Sequence, residues 1–149
     1  ALAPEEVIYG DPRHRLGAGT PAIGQAVGLG AALEYMDGIG REAIAAHEAD
    51  LLAYATDRLR QIHSLRIIGE AEHKGAIISF EIEGVHAHDI RTLIDRSGVA
   101  VRAGTHCAEP LLQRFGVTST CRASFAMYNT RQDADRLAEA LSSCAAFFS

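Results

Sequence analysis

The side chain best suited to nucleophilic chemistry lies in the segment RAGTHCAEP, residues 102–110. Cys107 directly follows His106 and comes five residues after Arg102, with Gly104 between them. Glycine permits backbone conformations that other residues avoid, so we expect an exposed loop at the end of a strand. Arg102 and a protonated His106 would favour the thiolate, which is the form that attacks. The pattern predicts a reactive thiol at Cys107, and a loop cysteine without a role is the alternative.

The other two thiols are predicted to lie in the core. Cys121 falls on the same side of a predicted strand as Phe125, and Cys144 lies on the apolar stripe of the last predicted helix. Three cysteines at these spacings match no disulfide framework, which predicts reduced thiols in a reducing compartment. Since the sequence has no CxxC pair and its histidines are scattered, no metal site is predicted.

An arginine in the segment CRASFAMYNT, residues 121–130, is the second candidate. Because side chains alternate along a strand, Arg122 should point away from the face that carries Cys121. A guanidinium fixed on a strand matches a carboxylate through two parallel hydrogen bonds, which lysine cannot form. Arg122 is therefore predicted to bind a carboxylate, and a surface salt bridge is the alternative.

The segment GAGTP, residues 17–21, is the third candidate. Thr20 can cap and Pro21 can open a helix, and the N–H groups at the start of a helix attract anions. Phosphate is a natural ligand for such a site. A simple capped helix start is the alternative.

Composition limits the possible partners. The 149 residues are 48% hydrophobic, which suits one domain with a continuous core. The formal charge of -5, with Lys74 as the one lysine, argues against a nucleic-acid partner. No apolar run approaches the ~20 residues of a membrane span, and the N-terminal segment lacks a signal-peptide pattern. These features predict a cytoplasmic protein.

The hydrophobic periodicity predicts the element order ααββαββα. A nearly apolar first helix should be buried, and Thr130 with Asp133 should cap the last helix. The predicted helices cover residues 22–36, 42–63, 88–96 and the region after Thr130, and the predicted strands cover 65–68, 76–82, 99–102 and 121–128. We expect an α+β fold whose mixed, mostly antiparallel sheet carries helices on one face. The expected single domain, 1–149, comprises an irregular segment at 1–20, a helix at 21–38 and a compact part at 39–149.

Taken together, these segments resemble a known family. RAGTHCAEP and CRASFAMYNT, preceded by AGTP and GLGAALEY, are similar in order and spacing to the C-terminal part of SUF-type cysteine desulfurases, the selenocysteine lyase group of class V aminotransferases. The resemblance covers essentially the whole chain. It implies the small C-terminal domain of a fold-type I pyridoxal-phosphate enzyme, a homodimer that converts L-cysteine to L-alanine and an enzyme-bound persulfide for iron–sulfur cluster assembly.

The resemblance also implies roles for particular residues. Cys107 matches the cysteine that attacks the substrate sulfur, and Arg122 matches the arginine that grips the substrate carboxylate. Arg102 and His106 match residues beside the nucleophile that contribute to substrate binding. Thr20, with Gly19 before it, matches the threonine that reaches the cofactor phosphate of the other subunit. A sulfur-acceptor protein would then take the persulfide.

The sequence departs from the family pattern at two places. Thr105 stands where many members have histidine, and Leu16 and Gly17 stand where many have Phe-Glu. These changes bear on substrate preference and on the phosphate contact, not on the matched residues themselves.

The cofactor lysine of the family is a further expectation of the resemblance. It lies in a Ser-x-His-Lys setting in a large domain that precedes this region. Lys74 follows His73 but lies in the turn EAEHKG without the serine, so it is interpreted as a solvated turn residue. The chain is therefore expected to be inactive alone. The alternatives are a stand-alone sulfur carrier or interaction module that uses Cys107 without cofactor, and a selenocysteine lyase or epimerase on the same fold.

Overall fold

The computed structural model describes residues 10–12, 17 and 19–148. Contacts within the chain define two compact units, Ala1–Gly40 and Arg41–Ser149. Within the described ranges, no helix is both long and apolar enough to cross a membrane. The elements, in chain order, are α1 (Ile23–Ile39), α2 (Arg41–Arg60), β1 (Leu65–Ile68), β2 (Ile77–Ile82), α3 (Ala87–Asp95), β3 (Arg102–Gly104), α4 (Glu109–Arg114), β4 (Thr120–Ser124) and α5 (Arg131–Phe148).

The first unit contains α1, whose position agrees with the predicted helix but whose burial does not. None of its residues is buried, and Ile23, Val27 and Leu29 are more than half exposed. Its glycines are open as well, since a Cβ built at Gly24 or Gly28 meets nothing within 4 Å in the described structure. The predicted burial of this helix is therefore not provided by the described residues of this chain. Its apolar composition suits packing against the large domain that the resemblance implies.

The second unit is built on a four-stranded sheet with the order β1-β2-β4-β3. All three pairings between its strands are antiparallel. The predicted hairpin of β1 and β2 is confirmed, with Leu65 opposite Ile82 and Ile68 opposite Ser79. The α+β class with a mostly antiparallel sheet is confirmed as well.

One face of this sheet forms the core. The strand β2 alternates as predicted, with Ile78, Phe80 and Ile82 buried and the residues between them more exposed. Phe80 lies opposite Cys121 on β4, so both strands contribute to the same apolar face. The helices α2, α3 and α5 supply the other side of this core. Full burial of a side chain such as Phe80 stabilises the fold by about 1.5–3 kcal/mol.

The strand β3 and the helix α4 differ from prediction. A strand was expected at 99–102, but β3 begins at Arg102 and runs to Gly104, because its pairing partners on β4 extend only from Arg122 to Thr120. The helix α4 was not predicted at all. It has six residues with a proline in its first turn, too short for a hydrophobic period to register.

The strand β4 is shorter than predicted, ending at Ser124 instead of residue 128. A turn ends the strand, because Ala126 N–H donates to the side-chain oxygen of Asn129 at 2.9 Å and Asn129 N–H donates back to the Ala126 carbonyl at 2.9 Å. The chain then enters α5 through the predicted cap. Asp133 Oδ2 accepts the Thr130 N–H at 2.8 Å, and Asp133 N–H donates to the Thr130 hydroxyl oxygen at 3.4 Å.

Candidate active site

The face of the sheet opposite the core, called here the outer face, carries Arg122. On β4, Cys121 is fully buried in the core while Arg122 is half-buried on the other side, which confirms the predicted direction of the arginine. Ser79 on β2 and Arg102 on β3 are its cross-strand partners. Arg122 is therefore held at the centre of the outer face by neighbours on both sides.

Cys107 lies in a tight turn between β3 and α4. The turn is closed by Ala108 N–H, which donates to the Thr105 carbonyl at 2.9 Å. Its two central residues both have left-handed backbones, with φ of 54° at His106 and 57° at Cys107. This combination is typical of a type I′ turn and costs non-glycine residues about 1–2 kcal/mol each. The turn leaves Cys107 exposed, in agreement with the predicted loop.

His106 is oriented by a neighbouring strand. Its Nε2 lies 3.0 Å from the carbonyl oxygen of Thr120, a residue of β4 that is 1% exposed. Because a carbonyl only accepts, Nε2 carries the hydrogen, and Nδ1 of the neutral ring is then an acceptor. Nδ1 is buried and has no hydrogen-bond partner among the described residues. In its neutral form, His106 therefore has one buried acceptor without a described partner, in the residue next to Cys107.

A cavity of about 270 Å³, called here the loop cavity, connects the turn to the arginine. His106 and Ala108, on either side of Cys107, line it together with Arg122, whereas Cys107 itself does not line it. Leu111, Leu112 and Phe115 from the α4 region form an apolar wall, which places this short helix over the outer face. The buried Arg122 Nε has no hydrogen-bond partner in the described structure. The turn that carries the nucleophile and the predicted carboxylate-binding group thus converge on one cavity.

A second cavity, of about 450 Å³ and called here the arginine cavity, lies against the same strand. Arg102 lines this cavity and not the loop cavity, whereas Arg122 lines both. Arg91 of α3 also lines it and was not singled out from the sequence. Its position on an exposed side of a helix gave no local signal, because only the folded chain brings α3 beside β3.

Thr20 and Gly19 belong to the first unit. The predicted role of Thr20 as a helix cap is wrong, because α1 begins at Ile23 and its N-cap is Ala22, which makes no side-chain cap hydrogen bond. The cause is local: Ala22 has a ψ of 66°, so the helix starts two residues later than a cap at Thr20 requires. Both Gly19, with a φ of 77°, and Thr20 are exposed.

The remaining thiols are unsuited to nucleophilic attack. Burial raises the pKa of Cys121 to about 12, and its thiol donates to the Ala87 carbonyl at 3.2 Å. Burial also raises the pKa of Cys144. Both predicted core positions are confirmed, and Cys107 is the one exposed thiol of the three. In the ranges that the structure covers, no three His, Cys, Asp or Glu side chains come close enough to hold a metal ion.

Comparison with known proteins identifies the family. The sequence model of the family described as aminotransferase class-V matches residues 2–137, so the chain belongs to this family. A probable cysteine desulfurase of Xylella fastidiosa strain Temecula1 is 50% identical over 134 residues, covering 90% of this chain and 32% of that protein. A cysteine desulfurase of Synechococcus elongatus is 50% identical over 137 residues, covering 92% of this chain and 22% of that protein. The chain thus spans about a third or less of these relatives.

Solved structures agree with this assignment. The apo structure of a cysteine desulfurase from Thermococcus onnurineus NA1 has a TM-score of 0.87 at 29% identity, covering 99% of this chain and 37% of that one. The Escherichia coli cysteine desulfurase CsdA has a TM-score of 0.81 at 37% identity, covering 89% of this chain and 33% of that one. The resemblance drawn from the sequence motifs is confirmed.

Proposed function

We propose that this chain is the catalytic-loop domain of a pyridoxal-phosphate-dependent cysteine desulfurase. It contributes Cys107 and Arg122 to a longer protein, called here the full-length protein, whose other part supplies the cofactor lysine. The observation that carries the proposal is the loop cavity, because Arg122 and the two residues that flank Cys107 line the same space. The relatives named cysteine desulfurase match about nine-tenths of the chain, which favours this function over a stand-alone sulfur carrier.

The residues present suit both the substrate and the cofactor. Arg122 Nε is a buried donor without a partner among the described residues, which fits an incoming carboxylate. Gly19 and Thr20 provide an exposed backbone turn and a hydroxyl donor that would hold the cofactor phosphate. When bound, pyridoxal phosphate supplies an electron sink that labilises the bonds of an amino-acid substrate.

The side chains of this chain then have distinct tasks. Arg122 binds the carboxylate of L-cysteine, and His106 Nδ1 accepts a hydrogen bond from the substrate. The Cys107 thiolate attacks the substrate sulfur, so that a sulfur–sulfur bond forms as the carbon–sulfur bond breaks. The β-carbon is reduced, keeps the electron pair and takes up a proton to give L-alanine. The sulfur atoms are oxidised and remain on Cys107 as a persulfide.

The exposed turn supports the later transfer of sulfur. Cys107 is accessible at the surface of its unit, immediately before α4, where an acceptor protein can reach it. We propose that this acceptor belongs to iron–sulfur cluster assembly in the cytoplasm. Arg102 stands beside Arg122 and supports substrate binding, and the contact of Thr20 with the cofactor phosphate is made across a homodimer.

The test compares two cysteine variants of the full-length protein. Cys107→Ala is expected to abolish sulfide release from L-cysteine in the presence of a thiol reductant, while the visible absorption of the cofactor remains. Cys144→Ala is the matched control, because Cys144 is buried in the core and should leave sulfide release at the wild-type rate. Full activity of Cys107→Ala would contradict the proposal and would favour a selenocysteine lyase that tolerates loss of the thiol.

A further inference from the structure

The arginine cavity has an unusual charge distribution. Arg91 from α3, Arg102 from β3 and Arg122 from β4 all line it, and Ser124 adds a hydroxyl. No carboxylate appears among the described residues that line this space. None of the three arginines forms an ion pair with a residue that the structure describes. Three separate elements therefore bring uncompensated positive charge to one cavity of about 450 Å³.

Four other arginines of the same acidic chain form ion pairs with carboxylates. Arg60 binds Glu70 at 2.6 Å, and Arg66 on β1 binds its cross-strand partner Glu81 at 2.6 Å. Across β3 and β4, by contrast, two like charges face each other, because Arg102 lies directly opposite Arg122 on the same face. Like charges in directly opposite positions destabilise a sheet. A bound anion would offset this repulsion.

From this arrangement we propose that the arginine cavity binds a small dicarboxylate. The inference rests on the proposed function, in which Arg122 binds the substrate carboxylate. One carboxylate of the ligand takes the guanidinium of Arg122, and the second takes those of Arg91 and Arg102. Planar guanidinium groups match carboxylates through paired hydrogen bonds, so two carboxylates use this set of donors better than one. Since Arg122 lines both cavities, the dicarboxylate competes with L-cysteine.

The size and charge of the site suit a small anion. A cavity of about 450 Å³ is the size of a small-molecule site. The net charge of -5 disfavours a nucleic-acid backbone as its ligand. Arg91 distinguishes the two cavities, because it lines the arginine cavity and does not line the loop cavity beside Cys107.

The test is calorimetric titration of malonate into the full-length protein, with acetate as the matched monoanion. Malonate should bind at least tenfold more tightly than acetate. Arg91→Ala, with Arg91→Gln as a second variant that keeps the side-chain length, should weaken malonate binding by about tenfold. Loss of one charge-assisted contact has roughly this effect. Arg96→Ala is the control, because Arg96 ends the same helix, is exposed and does not line the cavity.

The proposal is overturned if malonate binds no better than acetate, or if both Arg91 variants bind malonate as tightly as the wild type. It is also overturned if Arg96→Ala weakens malonate binding as much as the Arg91 variants do. Circular dichroism melting of each variant verifies that its fold is intact. Because the calorimetric signal requires no turnover, a failure here is distinguishable from a failure of the Cys107 test. In steady-state assays, malonate should raise the apparent KM for L-cysteine without lowering kcat.

Discussion

At the scale of single residues, Arg122 and Cys107 reach their site by different means. Arg122 is held by antiparallel pairing on both sides, so its position follows from the alternation of a strand. Cys107 is held by a short turn with two left-handed residues, and its exposure follows from that turn. A rigidly mounted cation and an accessible thiol suit substrate binding and sulfur transfer respectively.

The guanidinium shape, and not only its charge, should matter at Arg122. Arg122→Lys in the full-length protein is expected to raise the KM for L-cysteine at least tenfold, because an ammonium cannot form two parallel hydrogen bonds to a carboxylate. Steady-state kinetics of sulfide release measure the effect. Arg131→Lys is the control, since Arg131 binds Asp50 through two nitrogens at 2.7 and 3.2 Å on the surface. An unchanged KM in Arg122→Lys would exclude a bidentate contact.

The sequence was informative about these residues to different degrees. The alternation of side chains along the strand was enough to predict that Arg122 and Cys121 point to opposite faces of the sheet. The segment RAGTHCAEP was enough to predict an exposed thiol. The orientation of His106 was not predictable, because its partner Thr120 lies fourteen positions away and meets it only in the fold. The presence of Arg122 in both cavities likewise depends on tertiary contacts that no local pattern encodes.

At the scale of elements, local signals located long helices well and short ones poorly. The capping box of Thr130 and Asp133 was readable from the sequence and sets the start of α5. The helix α4 escaped prediction because it has six residues and a single buried position, Leu112. The expected cap at Thr20 failed because the backbone of Ala22 delays the start of α1.

The cap of α5 should contribute pH-dependent stability. Hydrogen bonds from the Thr130 N–H and hydroxyl lower the pKa of Asp133 below its usual value of 3.8. A carboxyl whose pKa is lower in the folded state stabilises the fold above its unfolded pKa, and this stabilisation is lost as the pH falls through the folded pKa. Asp133→Ala should therefore lower the free energy of unfolding by about 1 kcal/mol at pH 7, and by less below pH 4.

Urea denaturation at the two pH values measures this difference. Glu139→Ala is the matched control, because Glu139 is an exposed acid on the same helix and does not cap it. The explanation fails if Asp133→Ala costs the same free energy at both pH values, or if the control costs as much at pH 7.

At the scale of the whole molecule, the chain belongs to the class-V aminotransferase family and spans about a third or less of the cysteine desulfurases it matches. The motif resemblance predicted this membership because its segments extend from residue 18 to residue 130 in the right order. The exposure of α1 was not predicted, because the apolar composition of a helix indicates that it packs against something but does not indicate which segment of the protein it packs against.

The single lysine of the sequence provides a test of the proposal that another part of the full-length protein supplies the cofactor lysine. Lys74 lies in the connection between β1 and β2, where its Nζ donates to the Gly69 carbonyl at 3.0 Å. Lys74→Arg in the full-length protein should therefore leave the visible absorption of bound pyridoxal phosphate unchanged. Loss of that absorption in Lys74→Arg, with the protein still folded, would identify Lys74 as the cofactor lysine and contradict the need for another.

The burial of Cys121 and Cys144 has a practical consequence. Because those two thiols are buried in the core, an electrophilic label applied to this chain under native conditions should react at Cys107 alone. Under the proposed function, mass measurement of the unlabelled peptide that contains Cys107, taken from the full-length protein after turnover, should detect the extra sulfur atom at that position.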